Sequence, residues 1–172
     1  VFPAVPNEHD VFLPVKIAGV AQLDALNAWR AVVGRLQLTQ GRFTQDDFAD
    51  WLNLAATQQR YGLDYTQTQR VLDLLNDAGF KRGLDEAHLK QTLSAEDRDY
   101  RYSFKFALDR LALGIAVPAH VMVQQTLSYA LVQPSDFELI GILIQMYQDL
   151  SARRDWLVVH EQGQRLPVEI WL

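Results

Sequence analysis

The sequence predicts a mainly α fold, a helical domain with short extended segments at its N- and C-terminal ends. Three observations lead to that class. Apolar residues recur at three- and four-residue spacing over most of residues 21–156. Short polar residues suited to helix N-caps stand just before several of those stretches. The tripeptide Gly-Leu-Asp occurs twice, at 62–64 and 83–85, on either side of one amphipathic stretch. Glycine is the least costly residue where a helix ends at positive φ, and aspartate accepts the free N–H groups of the next helix. The repeat is read as helix–corner–helix punctuation, with each leucine packing at the corner. Two copies are too few for a solenoid, which needs about three repeats or more.

At 172 residues, 49% hydrophobic and 22% charged, the chain is expected to form one domain with a real core. The sequence divides it into an extended lead-in at 1–20, a helical body at 21–156, and a possible hairpin or cut element at 157–172. Because it begins with Val1 rather than Met, a piece processed or cut from something longer is expected. There are no cysteines, so disulfides and thiolate metal sites are excluded. No run approaches the ~20 apolar residues that span a bilayer, and no basic-then-apolar leader is present. A cytoplasmic chain without membrane contact is expected. The net charge of −5 lacks the basic excess of a free-standing nucleic-acid binder, so contact with DNA calls for a local patch or a larger assembly.

In order along the chain, Pro3, Pro6 and Pro14 bias the lead-in away from helix, and Val11–Leu13 and Val15–Ile17 read as extended pieces. Leu23, Leu26, Trp29, Val33 and Leu36 then mark a helix that fades at Gln40-Gly41. Thr44 is an N-cap, with Asp46 and Asp47 in the first turn and Phe43 as a staple. Phe48, Trp51, Leu52, Ala55 and Ala56 form the face that follows. Gly62 closes this helix and Asp64 opens the next. There Val71, Leu72, Leu74, Leu75 and Ala78 pack, and Gly79 ends the run. Gly83 and Asp85 are expected to repeat the corner. Ser103 caps a helix carrying Phe104, Ala107, Leu108, Leu111 and Ile115, widened by Phe106 and Leu113 and ended by Pro118. Residues 119–133 are ambiguous between helix and extended chain. Ser135 or Asp136 caps a long helix that closes at Arg153-Arg154.

Chemistry is mostly missing. The histidines, His9, His88, His120 and His160, are scattered and are read as surface or loop residues, without metal-ligand spacing. Asp46, Asp47 and Asp50 are read as capping and solvated groups. There is no phosphate-binding glycine loop and no nucleophile elbow, so the site expectations are catalytic none, cofactor none and metal none. Basic residues interleaved with aromatics remain: Lys81-Arg82, then Arg98, Arg101, Lys105 and Arg110 among Phe80, Tyr100, Tyr102 and Phe104. Such interleaving can hold single strands by charge and stacking. The competing reading is solvated or salt-bridged faces, with Arg153-Arg154 compensating a helix dipole, and cluster by cluster it is preferred.

The order of the phrases is more specific than any one of them. "GRFTQDDFADWL", "RYGLD", "LLNDAGFKRGLDEAH" and "FKFALDRLALGIAVP" follow one another, and together they resemble the exodeoxyribonuclease V gamma chain (RecC-type) family. Arg42-Phe43-Thr44, Arg60–Asp64, Gly83–Asp85 with His88, and Leu108–Leu111 with Leu113-Gly114 carry the match. Arg82, Phe104 and Ala107 depart from it, standing where the family commonly has Trp, Trp and Gly. The resemblance spans roughly residues 10–155, and the tail after Trp156 matches nothing. It implies a fragment of a larger helicase-like subunit, a non-catalytic scaffold and DNA guide in an ATP-dependent helicase–nuclease that processes double-strand DNA ends for recombinational repair. It further implies a helicase–nuclease beta subunit and a helicase alpha subunit as partners, with ATP and Mg2+ used elsewhere in the complex. On that view Lys81, Arg82, Arg98, Arg101 and Lys105 are the candidate DNA contacts. The alternative is a self-contained α-helical protein–protein interaction module.

Overall fold

A computed structural model describes residues 23–92, 99–117 and 121–160. The extended lead-in at 1–20, Pro118 and the tail from 161 onward lie outside the described residues. Among the described residues seven α-helices run in order: α1 (Leu23–Gln40), α2 (Gln45–Leu52), α3 (Ala55–Tyr61), α4 (Tyr65–Asp77), α5 (Glu86–Thr92), α6 (Phe104–Ala116) and α7 (Phe137–His160). Between α6 and α7 lies a small antiparallel hairpin, β1 (Met122–Val123) and β2 (Thr126–Leu127). This mainly α architecture is the one the apolar spacing predicts.

Local chemistry sets most of the boundaries. Thr44 caps α2 in a reciprocal box with Asp47, and Asp64 caps α4 in a box with Gln67. Ser103 accepts from the Phe106 N–H at the start of α6. Gly62 ends α3 in the left-handed region at φ 66°, so the first Gly-Leu-Asp is the predicted corner, and Leu63 is buried there. The second differs. α4 has already ended at Asp77, and Gly83 follows an extended link and closes no helix. Its φ is 77°, and a Cβ there would stand 2.4 Å from Leu89 Cδ2. Asp85 does open α5, accepting from the His88 N–H at 2.9 Å.

Three expectations are corrected. The face read through Ala55 and Ala56 is broken, because Leu54 turns to φ −70°, ψ 130° and starts α3. That turn leaves Ala55 exposed and brings Thr57 and Tyr61 inward. Residues 157–160, read from the sequence as the start of a hairpin or cut element, belong to α7. The stripe of α1 is only half covered, with Leu26 and Trp29 exposed, and Ile115 at the far end of α6 is also exposed. Within the ambiguous stretch, residues 122–127 form the hairpin, whose Gln124 and Gln125 both have positive φ.

α7 is the spine, packing against α1, α4 and α6. The centre of the core is a cluster of four fully buried phenylalanines, Phe43, Phe48, Phe80 and Phe104, with ring centroids 5.1–6.3 Å apart. Phe43 is the staple residue expected before the Thr44 cap, 5.9 Å from Phe48. It sits at φ 49°, a conformation that costs a bulky L-residue about 1–2 kcal/mol, offset by about 1.5–3 kcal/mol for burying the ring. Gly114 lets the chain after β2 cross α6, since a Cβ would come within 2.2 Å of Tyr129 O. Arg110 fixes that crossing by donating to Leu127 O and Ala78 O.

Candidate nucleic-acid interface

The link after α4 runs between two other segments. Gln45 N donates to Lys81 O at 3.0 Å, and Thr44 and Arg82 form an antiparallel bridge. Gly83 N donates to Phe43 O at 2.8 Å. On the other side Lys81 N and Arg82 N both donate to Tyr102 O, and Lys105 N donates to Leu84 O. Backbone pairing therefore gathers Arg42, Lys81, Arg82, Arg101 and Lys105 at one edge. Phe43, Phe80, Leu84 and Phe104 of the same three segments fill the core. Tyr100 and Tyr102 are exposed at that edge, with Tyr100 packed edge-on against Phe106.

The structure thus brings together four of the five candidate DNA contacts. Arg98 lies outside the described residues. Much of their charge is already engaged. Arg101 makes a two-pronged pair with Asp99 at 2.5 and 2.7 Å, and Lys105 holds Asp109 at 2.5 Å. Lys81 Nζ reaches Asn76 Oδ1 at 3.1 Å. Hydrogen bonds from the Arg101 side chain and backbone, with the Arg82 charge nearby, hold the Asp99 carboxyl below its usual range. Arg110, grouped with the basic residues in the sequence, instead serves the chain crossing at Ala78 and Leu127.

Just behind this edge lies a buried ionic cluster that sequence reasoning missed. Asp85 Oδ1 pairs with Arg154 and Oδ2 accepts from the Tyr147 hydroxyl at 3.0 Å. Burial alone would raise the Asp85 carboxyl, but the His88 N–H, Arg154 and Tyr147 outweigh it and hold it low. Burial beside the same carboxylate pushes the Tyr147 hydroxyl up to about 12. Arg154 is therefore no dipole compensator at a helix end. α7 continues past it to His160, and the guanidinium is buried. His88 is likewise no surface histidine: it is fully buried, with Nδ1 accepting from Leu84 N at 3.4 Å. Burial pushes its pKa down. The sequence offered one signal, the spacing of Asp85 and His88 on a single helix turn, but nothing local pointed to Arg154, 69 residues away. Among the described residues no group of three or more His, Asp or Glu side chains could hold a metal ion. No helix among them is long and apolar enough to cross a membrane.

The family model of the fourth domain of RecC, a subunit of the RecBCD enzyme, matches residues 25–172. The chain belongs to the RecC fourth-domain family. No curated protein matches it. The family match begins later than the resemblance read from the phrases and takes in the tail after Trp156, so 157–172 is part of the RecC-type unit. Two phrases that carried the resemblance now have physical roles. In Gly-Leu-Asp with His88, Asp85 and His88 build the buried cluster. In Leu-Asp-Arg-Leu with Gly114, Arg110 and Gly114 hold the chain crossing over α6. The departures from the RecC pattern at Phe104 and Ala107 are both fully buried, with Phe104 keeping an aromatic ring in the core.

Proposed function

We propose that this RecC-type chain is a non-catalytic wall of a helicase–nuclease complex, a scaffold that guides DNA while double-strand ends are processed for recombinational repair. ATP and Mg2+ would be used at sites in the other subunits, a helicase–nuclease beta chain and a helicase alpha chain, in the cytoplasm. The observation that carries this reading is the edge where Lys81 and Arg82 are pinned beside Arg42, Arg101 and the exposed Tyr100 and Tyr102. Charge at that edge can meet phosphates, and the tyrosines offer faces on which unpaired bases stack. Because Arg101 and Lys105 already hold carboxylates, the edge contributes as one part of a larger basic surface. The test uses the assembled complex. Lys81→Glu with Arg82→Glu should weaken DNA-end binding and make it less salt-dependent than in wild type, since each lost phosphate contact lowers the salt slope by about one. Unchanged affinity and slope in a correctly assembled complex would remove DNA guiding from this edge. The chain alone should neither hydrolyse ATP nor cut DNA, with or without Mg2+. Turnover that survives purification would contradict the scaffold reading.

A further inference from the structure

Helix α1 turns an apolar side to solvent that the rest of the described chain leaves uncovered. Trp29 is 65% exposed, and Leu26 and Val32 are exposed beside it. Next to Trp29 a cleft of about 450 Å3 opens between α1 and α2. Its floor is Trp51, which reaches α1 because Gly34 has no side chain: a Cβ there would stand 2.9 Å from Trp51 Cδ1. The Trp51 indole is fixed, donating to Ala31 O at 2.9 Å. The α2 rim is acidic. Asp47 and Asp50 line it, Asp47 is turned back to its own cap, and Asp50 has no hydrogen-bond or ion-pair partner among the described residues. Arg30 is the one basic side chain in the lining.

An exposed tryptophan beside a preformed cleft with an apolar floor and a polar rim is the usual make-up of an interface centre, where aromatic anchors supply most of the binding energy. We propose that another domain of the same RecC subunit seats here, placing a bulky apolar side chain over Gly34 between Trp29 and Trp51 and a lysine or arginine against Asp50. The proposal rests on family membership and is independent of the DNA reading. Two observations select this occupant. The family is by its description the fourth domain of a subunit, so further domains share its chain and meet it at high effective concentration. The rim carries more acid than base, which fits a basic residue on the incoming side. A second copy of this chain would bring the same acid-rich rim, with Arg30 as its one basic lining residue, against two aspartates.

Hydroxyl-radical footprinting read by mass spectrometry tests this, with fully buried Phe48, which does not line the cleft, as the internal reference. Three samples are compared: residues 1–172, the full-length subunit, and the complete complex. Trp29 should label strongly in the first and fall to the level of Phe48 in the second, with no further loss in the third. Asp50→Lys in the full-length subunit should restore labelling of Trp29 while leaving the melting temperature of residues 1–172 unchanged. Labelling that stays high in the full-length subunit overturns the proposal. So does protection that arises only in the complex, which would give the cleft to a partner subunit, or protection of residues 1–172 that grows with concentration, which would give it to a second copy. Full protection in the Asp50→Lys subunit would overturn the stated partner chemistry.

Discussion

Asp85 accepts from the His88 backbone, the Tyr147 hydroxyl and the Arg154 guanidinium, so one carboxylate both caps α5 and neutralises a cation brought in from α7. Removing one member of such a buried pair strands the other, at a cost of about 3–5 kcal/mol. Asp85→Asn should therefore destabilise by that order in a denaturant titration. Asp85→Leu with Arg154→Met should cost less than the two single changes summed, because neither charge is then left alone. The same cluster sets an acid limit. Burial holds the His88 pKa below its ordinary 6.5. The unfolded chain thus takes up that proton first, and the stability from the neutral imidazole, complete above 6.5, is lost as pH falls towards the folded value. Asp85 acts in the same direction at lower pH, since its depressed pKa makes its contribution disappear as pH falls through the folded value. Melting temperature against pH should begin to decline just below the ordinary histidine pKa. His88→Gln should delay that decline until the carboxylates titrate, and superimposable curves would show that His88 does not carry it.

At the scale of elements, the corner at Gly62 and the link at Gly83 make different demands on the same residue type. Gly62 needs only its positive φ, with nothing within 4 Å of a Cβ, so Gly62→Ala should cost about 1–2 kcal/mol. Gly83 needs both the φ and the space that Leu89 occupies, so Gly83→Ala should cost more, and a smaller loss than at Gly62 in the same thermal assay would show the steric account wrong. The hairpin turn makes the opposite prediction. Gln124 and Gln125 are both at positive φ, where Asn-Gly is favoured, and that replacement should stabilise by about 1 kcal/mol, because left-handed strain of about 1–2 kcal/mol per residue is relieved against the larger unfolded-state freedom of glycine. These cases also show what the sequence made legible. Caps at Thr44, Asp64 and Ser103 and the closure at Gly62 were readable because each is decided within four residues. The break at Leu54 was not, because apolar spacing continues across it and only the inward packing of Thr57 and Tyr61 favours the turn. The hairpin was ambiguous because its turn uses glutamines where a Gly or Asn would have marked it. The basic edge was half legible: Lys81, Arg82, Arg101 and Lys105 stood out by composition, while their meeting depends on backbone pairing between segments far apart in sequence.

Across the whole molecule, the α7 spine and the four-phenylalanine centre join segments from residue 43 to residue 150 in one core. Trp51 and Leu108, read from the sequence as core positions, are buried, and truncating either to Ala should cost about 2–5 kcal/mol. An unchanged melting temperature in both variants would mean that the helix faces are misassigned. The net charge of −5 acts at this scale as well. It opposes phosphate approach on average, and the basic edge spends part of its charge on Asp99 and Asp109. On the proposed reading, DNA guiding therefore belongs to the assembly and not to the isolated chain. Fluorescence anisotropy of residues 1–172 with a labelled duplex and a labelled single strand, near physiological ionic strength at ~0.15 M salt, tests that claim most directly. The expected result is weak binding without sequence preference, with a Kd of ~10⁻⁴ M or poorer. Tight, sequence-selective binding in the same assay would make this an autonomous recognition domain and contradict the proposed role as one wall of a larger complex.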